Sequence, residues 1–95
     1  MQRAELLARL KELQPWLGQR GVARVRVFGP HALDQAEPGG DVHLLVNYSR
    51  RISLMETIGI ESELVRKLAA PVQLASLDAL KARDRRRIEA QAIEI

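Results

Sequence analysis

The sequence contains no cysteine, so it forms neither a disulfide nor a thiolate metal site. Aromatic residues make up 3% of it, which leaves Leu, Val, Ile and Ala to build the core. No segment approaches the roughly 20 consecutive apolar residues that a membrane span requires. The opening stretch, MQRAELLARLKELQ, carries charges throughout and lacks the apolar run of a signal peptide. A soluble, cytoplasmic protein with no membrane partner is therefore expected. What is present is ordinary for a globular chain: 46% hydrophobic residues, 28% charged residues and a net charge of +3. Ninety-five residues are expected to form one domain, residues 1–95. A domain this small buries only about two-thirds of its unfolded surface, so association with itself or with a partner would help it.

Residues 3–13 place Leu6, Leu7, Leu10 and Leu13 at helical spacing, with charged residues largely opposite. Pro15 interrupts or restarts this helix, and Gly18 and Gly21 close the segment. Residues 22–28 alternate, Val25 and Val27 facing one way and Arg24 and Arg26 the other, which predicts a strand with one wet face. Residues 31–36 predict a short helix opened by Pro30, and Pro38-Gly39-Gly40 a turn. A second strand follows over 41–47, with Val42, Leu44 and Val46 on one face and Asp41, His43 and Leu45 on the other.

Ser53-Leu54-Met55-Glu56 reads as a capping box. The helix behind it is expected to use Leu54, Met55, Ile58, Leu64, Val65 and Leu68 as its apolar face. Residues 71–75 predict a third strand, and Ser76 or Asp78 would cap a last helix running to about residue 92. The order α-β-(short α)-β-α-β-α predicts an α/β (α+β) domain, a mixed three-stranded sheet covered by helices.

The stretch from Val27 to Val46, VFGPHALDQAEPGGDVHLLV, resembles the signature of the DNA polymerase β-like nucleotidyltransferases. The resemblance is to their minimal form, found as antitoxins beside HEPN-domain proteins, and it covers nearly the whole chain. That family's pattern is a strand, Gly-Ser, a short helix with Ala-Arg-Gly, a turn, and Ser-Asp-x-Asp-Leu-Leu-Val, with a third carboxylate on the next strand. In such a site the three carboxylates hold two divalent metals, which stabilise the attacking and leaving oxygens of nucleotidyl transfer. Backbone N–H groups of the Gly-Ser turn face the triphosphate. The resemblance thus implies the nucleotidyltransferase fold, with ATP and magnesium or manganese as cofactors if the site works.

Among the functional positions of that pattern, Gly29 and Asp41 match. Pro30 stands in place of the serine, removing both its hydroxyl and a backbone donor. Leu33 replaces the arginine, where an apolar side chain would fill the vacant cleft, and Asp34 replaces the glycine, bringing an acid toward the phosphate position. Gly40 replaces the second serine. His43 stands where the second metal carboxylate belongs and Gln73 where the third belongs. Asp41, His43 and Gln73 are therefore the remnant catalytic positions, Gly29 with Pro30 the remnant nucleotide turn, and Asp41 and His43, with His31 a further candidate, the donors left for one softer metal such as manganese or zinc.

A lone aspartate does not assemble a two-magnesium centre. The leading expectation is a non-catalytic, antitoxin-like protein that binds a HEPN-type helical partner, with homo-oligomerisation as the other route to association. An active, ATP-dependent nucleotidyltransferase is the alternative. A third reading, a nucleic-acid-binding accessory domain, rests on the basic cluster Lys81, Arg83, Arg85, Arg86 and Arg87, which would contact phosphates or an acidic protein without reading sequence. Trp16 is expected to plug or cover the core edge, with an interface anchor as the alternative.

Overall fold

A computed structural model describes all residues, 1–95. The chain runs α1 (Arg3–Glu12), α2 (Gln14–Gln19), β1 (Val22–Phe28), β2 (Val42–Tyr48), α3 (Leu54–Leu68), β3 (Val72–Ser76), α4 (Ala82–Gln91) and β4 (Ile93–Glu94). Single 3-10 turns occupy Gly29–His31 and Leu77–Ala79. Pro15 restarts the first helix, sitting in the opening turn of α2 where a missing N–H costs nothing. No helix is long and apolar enough to cross a membrane.

The sheet is mixed, as expected, but has four strands in the order β3-β2-β1-β4 rather than three. β1 pairs antiparallel with β2 and β4, whereas β2 and β3 are parallel, with α3 as their crossover. The fourth strand pairs Arg26 with Glu94 and Val27 with Ile93. Two residues are too few to show an alternation, so this strand exists through pairing and is invisible in the sequence.

Val25 and Val27 of β1 and Val42, Leu44 and Val46 of β2 point to one side of the sheet, as their alternation predicts. They meet Leu6 and Leu10 of α1, Leu17 of α2, and Ile60, Leu64 and Leu68 of α3 in one cluster. Trp16 is half-buried against this cluster, with the Arg20 guanidinium 5.5 Å and the Lys67 ammonium 5.1 Å from its ring centroid. It serves as a lid over the core edge, its π-face used by two cations.

Three expectations need correction here. On α3, Leu54, Met55, Ile58 and Val65 are exposed, and Ile60 joins Leu64 and Leu68 in the core. The helix carries two apolar stripes, and the one at strict four-residue spacing takes the sheet. Ser76 does not cap the last helix, because it is held in the β2–β3 ladder opposite Val46. Asp78 lies in the 3-10 turn, and α4 starts behind Lys81 with no side-chain cap. The second face of β1 is not uniformly wet either. Arg24 is exposed, but Arg26 is only 8% exposed, because the returning α4 and β4 lie against β1.

The capping box at α3 forms in full. Ser53 Oγ accepts from the Glu56 N–H at 3.1 Å, and the Ser53 N–H donates to the Glu56 carboxylate at 3.3 Å. Arg50 pairs with the other Glu56 oxygen at 2.9 Å, and this hydrogen bond, followed by the Ser53 N–H, holds the Glu56 carboxyl below its usual range. Ser53→Ala is expected to lower the unfolding free energy by about 1 kcal/mol, read as a shift of the urea midpoint at constant slope.

Candidate functional site

The remnant positions assemble on the second face of the sheet, away from the main core. The ladder sets Phe28 opposite His43 and His43 opposite Gln73, forming one row across β1, β2 and β3. Asp41 precedes β2 on the same side as His43, two residues upstream. Its carboxylate accepts a hydrogen bond from Gln73 Nε2 at 2.8 Å. The residue expected to supply a third carboxylate thus supplies an amide donor, and it is directed at the first one.

His43 does not point into open space. Its ring lies 5.4 Å from that of Phe28, tilted by 56°. It also covers Gly29, where an added Cβ would meet the imidazole at 3.1 Å. Gly29 has φ +76°, a conformation that side chains rarely adopt, so both the backbone and the ring above it require glycine at this position. Its N–H, the donor that the resemblance aims at a phosphate, donates to Gln91 Oε1 at 2.9 Å. That contact reaches across from the end of α4.

The 3-10 turn Gly29–His31 takes the place of the helix expected over 31–36, with Pro30 in its opening turn. Asp34 adopts φ 58°, the left-handed conformation that explains a glycine at this place in the family pattern. Its side chain borders a separate depression with Arg3 and His31, not the remnant cleft. The cleft itself, about 310 Å³, is lined by Pro30, Gln35, Ala36, Glu37, Gly40, Asp41 and His43. Its two charged side chains are both acids, Glu37 and Asp41, a poor lining for a triphosphate. Leu33 does not fill it; that side chain is 50% exposed on the outer side of the turn.

His31 is 2% exposed and its Nδ1 has no hydrogen-bond partner. Nowhere do three His, Asp or Glu side chains converge as metal donors, so His31 does not complete a set with Asp41 and His43. The metal pair and ATP implied by the resemblance do not fit this donor set: one carboxylate faces an amide, and the phosphate donor is already taken. Burial pushes the His31 pKa below 6.5, with the chain amino group and His43 adding to the effect and the Asp41 carbonyl opposing it. The unfolded chain therefore takes up a proton here before the folded one does. His31 contributes stability that is complete above about pH 6.5 and is lost as the pH falls below it. As the pH falls from about 7.5 to about 5.5 the parent is expected to lose stability, and His31→Gln to show a flatter profile in urea titrations.

The basic cluster divides on folding. Arg85 turns inward and donates to the Leu77 carbonyl at 2.9 Å, with its Nε buried and unpartnered. Arg87 pairs with Asp84 at 3.5 Å. Lys81, Arg83 and Arg86 are exposed and without ion-pair partners, so three cations rather than five face solvent freely. Sequence reasoning missed three contributors to the site: Glu37, Gln35 and Gln91. No local signal marks Gln91, whose position depends on the β4 pairing that follows it.

No protein-family model matches the chain, and no curated protein matches it by sequence. Solved structures do. One, described as a minimal nucleotidyltransferase, superposes with a TM-score of 0.87 at 28% identity, covering 100% of this chain and 97% of that one. A toxin-antitoxin solved with AMP-PNP gives 0.71 at 13% identity over 99% of this chain and 72% of that one. A mutant of the toxin-antitoxin MntA-HpeT gives 0.67 at 13% identity over 99% and 71%. By this likeness over its whole length, the chain has the nucleotidyltransferase fold in its minimal form.

Proposed function

We propose that this chain is an antitoxin-like member of the minimal nucleotidyltransferases that acts by binding a HEPN-type helical protein rather than by transferring nucleotides to it. One observation carries this reading: the two positions that would hold metal and phosphate are satisfied from within. Asp41 is bonded to Gln73 and the Gly29 N–H to Gln91. Opening the cleft to Mg-ATP would break both bonds and place the phosphates beside Glu37. The toxin-antitoxin neighbours support a protein partner. A small domain gains most from association when its own core is limited, which favours a stable complex.

Co-expression with a helical protein encoded beside it, followed by size exclusion at micromolar concentration, tests the reading. One co-eluting peak is the expected result, and two separate peaks would sink it. An active transferase instead requires a labelled nucleotide to appear on the partner in magnesium or manganese, and to vanish in Asp41→Ala. Both that activity and an accessory nucleic-acid role through Lys81, Arg83 and Arg86 are alternatives with less support, since the exposed cations carry no aromatic platform among them.

A further inference from the structure

Four large apolar side chains of α3 stand outside the core: Leu54, Met55, Ile58 and Val65, exposed at 75%, 77%, 48% and 39%. They are not scattered. Spacings of four and seven residues put Leu54, Ile58 and Val65 on one stripe, with Met55 beside its start. Gly59 lies at its margin with nothing within 4 Å of where a Cβ would sit, so another helix can approach the α3 backbone closely there. Met55 and Gly59 also border a groove of about 410 Å³ whose rim includes Arg20 and Arg50. We propose that this face of α3, with the adjoining groove, is the surface that receives the protein partner, and that the partner presents an apolar helical face edged with carboxylates. The inference rests on the partner-binding reading above and adds where the partner sits and what chemistry it carries.

Charge and area select this occupant over a second copy of the chain. Two guanidiniums at the border, Arg20 and Arg51, have no carboxylate partner, while Arg50 and Arg66 are paired with the α3 carboxylates Glu56 and Glu63. Glu61 is engaged too, accepting from the Leu74 N–H at 3.1 Å. A parallel pairing of α3 with a second copy sets each unpaired arginine against itself, and an antiparallel one offers Arg20 and Arg51 no free carboxylate of Glu56 or Glu63. Carboxylates on a different protein meet the same border favourably. The four side chains expose on the order of 400 Å² of apolar surface, about half of the ~800 Å² that one partner gives to a standard interface. An interface that is half apolar with a polar rim describes a non-obligate complex, whereas an obligate homodimer needs a larger and more apolar face.

The test is a titration of the purified chain with the co-encoded helical protein at physiological salt, followed by fluorescence anisotropy. Ile58→Asp is expected to weaken binding at least 30-fold and Met55→Glu at least tenfold, with the unfolding midpoint of the isolated chain unchanged. Arg83→Glu with Arg86→Glu, on α4, is expected to leave the affinity within twofold. Ile58→Asp and Met55→Glu variants that bind like the parent would overturn the assignment of this face while leaving the partner reading intact. A parent chain that does not bind would remove both. Sedimentation showing a dimer of the chain alone that Ile58→Asp dissociates would overturn the choice of occupant.

Discussion

Arg26→Met is expected to raise the unfolding free energy by about 2 kcal/mol and the thermal midpoint by on the order of 10 °C. Arg26 lies in the middle of the second face of the sheet, opposite Leu45 on β2 and Glu94 on β4. It is only 8% exposed, and both Nε and Nη2 are buried without an acceptor. The nearest carboxylate across the ladder, Glu94, is engaged by Arg24 instead. A buried charge with unmade hydrogen bonds is a net cost, and an unbranched apolar side chain of similar reach removes that cost while packing on Leu45. Arg24→Met is the control. It breaks a half-exposed ion pair worth at most about 1 kcal/mol and is expected to change stability little. If Arg26→Met destabilised the domain, the guanidinium would have an acceptor that this arrangement does not supply.

The second large effect concerns metal. In the double variant His43→Asp/Gln73→Glu, a carboxylate oxygen replaces the Gln73 amide nitrogen that sits 2.8 Å from Asp41. Three acids then crowd one end of the sheet. In EDTA the variant is expected to lose about 1 kcal/mol, a modest figure because Asp41 and Gln73 are exposed and solvent screens the repulsion. Adding Mn²⁺ to a hundredfold excess over its dissociation constant would return about 2.7 kcal/mol, since metal binds only the folded form. The parent midpoint is expected not to move with metal. A variant indifferent to Mn²⁺ would show that the backbone no longer holds the three positions in a metal-binding arrangement. A parent that is itself stabilised by the ion would show that Asp41 can leave Gln73 for a metal.

How far these features were legible in the sequence differs from one element to the next. The alternation of residues 22–28 and 42–46 identified the two central strands and their core faces, because period-two burial is imposed by the backbone. The Ser53–Glu56 capping box was readable from four residues, because capping is local chemistry. The family motif singled out Gly29, Asp41, His43 and Gln73, and the fold brings Gly29 under the His43 ring and Gln73 into a hydrogen bond with Asp41. What the sequence does not display is long-range. β4 and the reach of Gln91 to Gly29 depend on where α4 lands, and a two-residue strand has no pattern of its own. The burial of Arg26 follows from the same return of the chain. On α3, two apolar stripes compete, and only the strands beneath decide that Ile60, Leu64 and Leu68 go inward. Leu33, placed in the cleft by analogy with an arginine, turns outward because Asp34 enters the left-handed region and ends the turn early.

Whether the cleft is closed by its own side chains decides between partner binding and nucleotide transfer. Calorimetric titration of the chain with ATP, in magnesium and again in manganese, with Asp41→Ala alongside, asks this directly. The expected result is no binding heat in either metal, for parent and variant alike, because Gln73 and Gln91 occupy the groups that metal and phosphate would need. Binding by the parent that disappears in Asp41→Ala would contradict it, showing that both internal bonds yield to nucleotide and that the site still works.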